Sequence, residues 1–327
     1  MTDSFNRPIN YLRISVTDRC NLRCQYCMPS EGIVPIAQDK LLRYEEIVSI
    51  VRAASRLGIS KIRLTGGEPL VRAGFVDFVA MLGEIEGIDD IALTTNGTLL
   101  GKYASDLRKA GLRRVNVSLD TLRADRFEQI ARRPGLTDVL KGIDAANDAG
   151  LTPVKVNVVV MRGVNDDELL DFARLTMDKD WHVRFIEVMP MGEEEGVEYG
   201  PETFISVADM LPLLSPLGEL NPCKIEAGNG PAKYYSLPGA KGTIGFISPV
   251  SEHFCFDCNR LRLTADGHLR PCLMDINEVD LKSPMRAGIS DEGLEDLVKQ
   301  AILKKPERHL LHQSLRPGGR AMVQIGG

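Results

Sequence analysis

Along its first 190 residues the chain alternates short strand-like runs with helix-like stretches, and the strand-like runs carry polar and apolar side chains in strict alternation. Strand-like runs lie at about 11–17, 61–66, 91–96, 114–120, 153–161 and 183–189; apolar residues at three- and four-residue spacing mark helices near 43–57, 72–85, 100–110, 123–149 and 166–178. Six alternations of strand and helix imply parallel strands joined by helical crossovers. A doubly wound sheet buries both faces, so its strands read as continuous apolar runs. These strands do not. Leu12, Ile14 and Val16 share one face while Arg13, Ser15 and Thr17 share the other, and Ile62 and Leu64 oppose Lys61, Arg63 and Thr65. Ala92, Thr94 and Asn96 oppose Ile91 and Leu93; Asn116, Ser118 and Asp120 oppose Val115, Val117 and Leu119; Lys155 and Asn157 oppose Val154 and Val156. Helices must cover the apolar face, which leaves the polar face to line the hollow of a curled sheet. A flat sheet with one wet side is the alternative, unusual for parallel strands. The expected fold class is α/β, an incomplete (β/α)6 TIM-type barrel. It falls short of the eight units of a complete barrel and is open on one side.

The 327 residues exceed the size at which one core stops growing, so a smaller C-terminal annex is expected at 191–327 beside a barrel at 1–190. The annex opens with an acidic loop, 192–201, whose Glu193, Glu194 and Glu195 read as solvated. A helix near 203–215, hairpins over 222–247 and a helix at 290–304 follow. A formal charge of −5 argues against a nucleic-acid partner. The lack of a long apolar run argues against a membrane, and Met1 to Asn10 are too polar for a secretory signal, so a cytoplasmic location is expected.

In a reducing compartment, clustered cysteines are metal ligands or catalysts more often than disulfides. Six of the seven fall into two triads, Cys20, Cys24 and Cys27, then Cys255, Cys258 and Cys272, while Cys223 stands apart as an idle thiol. Each triad is one ligand short of a closed tetrahedral site, which suits a four-iron, four-sulfur cluster with one iron left open to a small molecule. No histidine lies near the first triad to complete a zinc site. For the second, His268 supplies a fourth ligand on spacing alone, and a structural Cys3His zinc site stays open there.

The loop Cys20-Asn-Leu-Arg-Cys24-Gln-Tyr26-Cys27 resembles the CxxxCxxC loop of radical S-adenosylmethionine enzymes, and Gly66-Gly67-Glu68-Pro69 resembles their GGEP motif, which holds the methionine amino group. Alone, the glycine pair reads as a tight turn. From Cys255 to Leu273 the text CxxCNRxRLTxDGxLRxCL resembles the C-terminal motif of the GTP 3′,8-cyclase family, as do the opening ISVTDRCNLRCQYCMP and the closing Gly326-Gly327. The resemblance implies two 4Fe-4S clusters, the first on Cys20, Cys24 and Cys27 and the second on Cys255, Cys258 and Cys272, with His268 not a ligand. It further implies cleavage of S-adenosylmethionine to a 5′-deoxyadenosyl radical, abstraction of the ribose 3′ hydrogen of GTP and closure of that carbon on guanine C8, a step of molybdenum cofactor biosynthesis. Its partners would be GTP, an electron donor such as flavodoxin or ferredoxin, and a downstream enzyme forming cyclic pyranopterin monophosphate; a homodimer is allowed.

By the same resemblance, Tyr26, Gly67, Ser118 and Met189 contact S-adenosylmethionine, and Arg13, Arg63, Thr94, Lys155 and the run Arg260-Leu261-Arg262 contact GTP, with Lys61 a phosphate neighbour. Arg260 and Arg262 join the first triad as catalytic candidates, and the double glycine reaches into the site. The alternation independently sets Arg13, Lys61, Arg63 and Lys155 on the polar face, where buried cations need compensation. A triphosphate would provide it, and so would ion pairs with Asp120 and Glu187; both stay open. Two rival functions remain: a two-cluster maturase acting on a peptide or protein, and a non-catalytic metal-binding module.

Overall fold

The computed structural model describes residues 1–189, 201–225, 230–309 and 320–326. Glu193, Glu194, Glu195 and Gly327 lie outside the described residues. The strands are β1 (Tyr11–Ser15), β2 (Lys61–Thr65), β3 (Asp90–Thr95), β4 (Arg114–Ser118), β5 (Val154–Val160) and β6 (Trp181–Glu187). Their crossovers carry α1 (Tyr44–Arg56), α2 (Phe75–Gly83), α3 (Leu100–Lys109), α4 (Ala124–Ala131), α5 (Leu136–Asp148) and α6 (Leu169–Asp178). The helix expected over 123–149 is two helices. Arg132 turns into the left-handed region at φ 53° and Pro134 and Gly135 follow, a sequence that ends one helix before the next begins.

The apolar phase of each strand packs under these helices in one large core that includes Leu12, Ile14, Ile62, Leu64, Val115, Val117 and Phe185. Burying each such side chain contributes roughly 1.5–3 kcal/mol. At the helix surface the fit follows from spacing: Ile47, Ile50, Val51 and Ala54 of α1 are buried, and the Arg43 N–H is capped by Glu46 at 2.7 Å.

The remaining elements are α7 (Val207–Leu213), β7 (Asn221–Cys223), β8 (Lys233–Ser236), β9 (Thr243–Ile247), β10 (Arg260–Leu263), β11 (His268–Arg270), β12 (Val279–Asp280), α8 (Lys282–Arg286), α9 (Asp291–Leu303) and α10 (Met322–Ile325). All twelve strands form one sheet in the order β12-β11-β10-β1-β2-β3-β4-β5-β6-β9-β8-β7. Both β10 beside β1 and β9 beside β6 run parallel to their neighbours, so eight adjacent strands are parallel, two more than the alternation revealed. The chain after residue 190 therefore extends the barrel sheet beyond both edges. Among the described residues no helix is long and apolar enough to cross a membrane.

This topology sets the two triads at opposite ends of the strands. Cys20, Cys24 and Cys27 follow the C-terminal end of β1. Cys255 and Cys258 precede β10, which pairs with β1 in the register Tyr11 to Arg260, and Cys272 follows the antiparallel β11, so all three lie at the N-terminal end of β1. The five residues of β1 span roughly 17 Å between the ends.

Candidate active site

At the first triad, the turn after β2 lies directly on the cysteine loop. Gly67 N–H donates to the Thr17 carbonyl at 2.7 Å and Glu68 N–H to the Arg19 carbonyl at 2.8 Å. A Cβ on Gly67 would stand 2.3 Å from the Arg19 oxygen, and one on Gly66, whose φ is +153°, 2.4 Å from the Thr17 oxygen, so only glycine allows this approach. The buried Glu68 carboxylate accepts from the Leu70 N–H, the Thr95 hydroxyl at 2.8 Å and the Asn96 N–H at 2.7 Å, tying the ends of β2 and β3 together. Burial pushes its carboxyl up to about 7 against those donors. Asp120, at the end of β4, accepts from the Tyr26 hydroxyl and the Val159 N–H, both at 2.8 Å, and burial raises it to about 6.

The three thiols are crowded and hold their protons tightly: burial, then the neighbouring thiols, push Cys27 up to about 12 and Cys24 well above its ordinary value, and burial also raises Cys20. Such a group is ill suited to remain bare, whereas thiolates bound to a metal cluster give up those protons. Among the described residues no three His, Cys, Asp or Glu side chains converge tightly enough to hold a single ion. Three thiolates leave a structural zinc site one ligand short, whereas they can hold an iron–sulfur cube with one iron left open.

The second triad sits among cations. Arg260 Nη2 lies 3.6 Å from Cys258 Sγ, Arg7 donates to the Cys255 carbonyl at 2.7 Å, and the Lys305 ammonium donates to the Arg260 and Pro271 carbonyls at 2.8 and 2.7 Å. Burial raises the Cys258 thiol, but Arg260 and Lys305 outweigh it and bring the group down to about 6. His268 starts β11, four residues before Cys272 and about 13 Å away along an extended chain. It does not line the cavity onto which the three cysteines open, and its Nδ1 lies 3.4 Å from Asp266 Oδ2.

Both triads open into one cavity of about 360 Å³. Tyr26, Gly67, Ser118 and Met189 line it beside the first triad, and Arg13, Arg63, Thr94, Arg260 and Arg262 line its body. Arg13 stands directly between Arg262 and Arg63 in the sheet register, so three arginines occupy one row on strands roughly 4.8 Å apart. Burial and Arg262 hold the Arg13 guanidinium well below its ordinary value, and burial with Arg260 brings Arg262 down to about 10. Neither acid proposed as a partner relieves this row: Asp120 is committed to Tyr26 and Val159, and Glu187 accepts from the Val207, Val250 and Ser251 N–H groups. Three guanidinium forks in a row are suited to contact with a polyanion. The Gly326 carbonyl accepts from Arg262 at 2.9 Å.

Three expected residues lie elsewhere. Leu261 occupies the other phase of β10 and is buried in the apolar core, Lys61 begins β2 outside the cavity wall, and Lys155 lines a second hollow with Tyr234 and Cys223. Burial and Arg184 lower Lys155 to about 6. Conversely, Tyr11 and Arg184 line the main cavity. Tyr11 shares the phase of Arg13, with its hydroxyl bonded to Arg63 Nε, and Arg184 alternates with the apolar Val183 and Phe185; extending the period-two pattern across β1 and β6 finds both.

The Radical SAM superfamily model matches residues 14–176 and the Molybdenum Cofactor Synthesis C model residues 181–311. Curated relatives named GTP 3′,8-cyclase include those of Pelotomaculum thermopropionicum, 53% identical over 328 residues, and Moorella thermoacetica, 51% identical over 329, each alignment covering 100% of both chains. Among solved structures, Streptococcus suis SuiB bound to S-adenosylmethionine matches with a TM-score of 0.64 at 14% identity, covering 97% of this chain and 77% of that one, a likeness of fold. With full-length relatives at this identity, the chain belongs to the GTP 3′,8-cyclase family of radical S-adenosylmethionine enzymes.

Proposed function

We propose that this chain cyclises GTP to (8S)-3′,8-cyclo-7,8-dihydroguanosine 5′-triphosphate in molybdenum cofactor biosynthesis, with two 4Fe-4S clusters and S-adenosylmethionine as cofactors. The observation that carries it is the row Arg262, Arg13 and Arg63, set in one cavity between two cysteine triads at opposite strand ends. When bound at Cys20, Cys24 and Cys27, the first cluster with S-adenosylmethionine supplies the radical that removes the ribose 3′ hydrogen.

The chain's own residues do the positioning. Gly67 offers a backbone edge against which the methionine end can lie, and Tyr26, Ser118 and Met189 flank it. Arg13, Arg63, Thr94, Arg184, Arg260 and Arg262 bind GTP, arginine forks being suited to bidentate phosphate contact, with Lys155 and Lys61 as outlying cations near the triphosphate. Leu261 acts through its backbone. Cys255, Cys258 and Cys272 would hold the second cluster, near Arg260 and Arg262, and it would supply an open iron for the guanine. Holding the ribose between the two ends converts a bimolecular encounter into an oriented one, a gain of up to roughly 7–11 kcal/mol in the barrier.

A barrel at 1–190, a C-terminal unit at 191–327, a cytoplasmic location, flavodoxin or ferredoxin as electron donor and a downstream cyclic pyranopterin monophosphate synthase complete the proposal. Anaerobic incubation with GTP, S-adenosylmethionine and a reductant tests it: a GTP isomer with a new ring and an equivalent of 5′-deoxyadenosine are expected, and unchanged GTP under conditions that cleave S-adenosylmethionine contradicts it.

A further inference from the structure

Lys305 follows α9 and is 3% exposed, yet among the described residues no carboxylate lies within ion-pairing distance of its ammonium. Among the other buried cations, Arg7 pairs with Asp3 at 2.6 Å, Arg114 with Asp90, and Arg270 with Glu278, whereas Arg63 and Arg184, like Lys305, line the cavity. A buried ammonium lacking a counter-charge is costly, so its retention calls for an anion that the side chains do not supply. The two carbonyls it does reach are informative. Arg260 stands two residues after Cys258 and Pro271 immediately before Cys272, so one ammonium joins the two segments that bring in those cysteines. Lys305 also lines the shared cavity and acts electrostatically on Cys255 and Cys258. At the other end the sign is reversed, with Asp120 bearing on Cys24 and Glu68 on Cys20.

We propose that Lys305 is a positioning residue and the built-in counter-cation of the second cluster, provided that Cys255, Cys258 and Cys272 hold that cluster as proposed above. Its two carbonyl bonds keep the Cys258 and Cys272 segments in register, and its charge favours gain of an electron by a cluster ligated by three thiolates. No bond is made or broken in that reduction; one electron arrives from an added chemical reductant.

The test uses full-length protein in which Cys20, Cys24 and Cys27 are all serine, reconstituted without oxygen so that roughly four irons remain at the second site. The midpoint potential is read by paramagnetic resonance during a redox titration, and cluster release by the rate of iron transfer to a chelator. Lys305→Met is expected to shift the one-electron reduction equilibrium at least tenfold toward the oxidised form, 59 mV, and to speed iron release severalfold. Lys305→Arg is expected to restore the potential. An unchanged potential in Lys305→Met overturns the charge role, and an unchanged release rate overturns the positioning role. Should Lys305→Met hold no cluster, Lys305→Gln, which keeps a donor for the carbonyls, supplies the potential, and a wild-type value there overturns the charge role. Adding Cys255→Ser separates the two layers: full retention of the cluster refutes the ligand assignment, whereas its loss beside an unaltered Lys305→Met refutes only Lys305.

Discussion

Replacing Arg262 with methionine should make the protein more stable and its substrate weaker, because the role proposed for the arginine row is to bind a ligand and not to hold the fold. Arg262 is partly buried, lies beside Arg13 in the register and has its guanidinium brought down to about 10 by burial and Arg260. Against an ordinary value of about 12.5, that corresponds to about 3 kcal/mol opposing the charged form in the folded state. Methionine removes this penalty and keeps much of the packing, at the loss of the hydrogen bond to Gly326, worth about 1 kcal/mol. A net gain of about 1–2 kcal/mol should raise the melting temperature by a few degrees, at about 2–4 °C per kcal/mol. In the complex the sign reverses, since removing one partner of a buried charge pair costs about 2–5 kcal/mol, a loss in affinity of about 30-fold or more. Anaerobic calorimetry with GTP in the absence of S-adenosylmethionine, alongside thermal unfolding with and without GTP, reads both effects. A variant that binds GTP like wild type, or that melts lower without ligand, refutes the reasoning.

Lys155, lowered to about 6 first by burial and then by Arg184, should make GTP binding take up protons. Between about 6 and 10.5 the unfolded chain holds the extra proton, so folded stability rises with pH across this window and is lost as pH falls through it, while a neighbouring phosphate restores the charge. At pH 8, calorimetry in two buffers of different ionisation enthalpy should show uptake of about one proton, abolished in Lys155→Gln; equal uptake in both contradicts this. Gly67→Ala places a Cβ 2.3 Å from the Arg19 oxygen and should weaken S-adenosylmethionine at least about tenfold while sparing GTP, as separate titrations would reveal. Cys27→Ser should abolish 5′-deoxyadenosine formation, whereas Cys255→Ser should retain some cleavage and stop cyclisation; chromatography of both products distinguishes them.

The barrel was legible because period-two alternation on parallel strands has few explanations: with Ile62 and Leu64 under helices, Arg63 and Thr65 must face a hollow. The two added parallel strands were not legible, since the pairing of β9 with β6 and of β10 with β1 is a long-range choice that local pattern does not encode. For the same reason local pattern alone did not place the triads at opposite ends of the strands. Spacing found all six cysteines, and alternation found Arg13 and Arg63. The break between α4 and α5 was written in Pro134 and Gly135 but masked by continuous apolar spacing on either side. Lys305 left no local trace, because nothing in its neighbourhood of the chain reveals that Arg260 and Pro271 offer it their carbonyls.

Deuterium placed at the ribose 3′ carbon of GTP tests most directly that a radical made at the first triad acts on a nucleotide anchored at the second. Under anaerobic single turnover, mass spectrometry should find the label in 5′-deoxyadenosine and absent from the cyclised nucleotide. Full retention of deuterium in the nucleotide product, with unlabelled 5′-deoxyadenosine, would contradict the account.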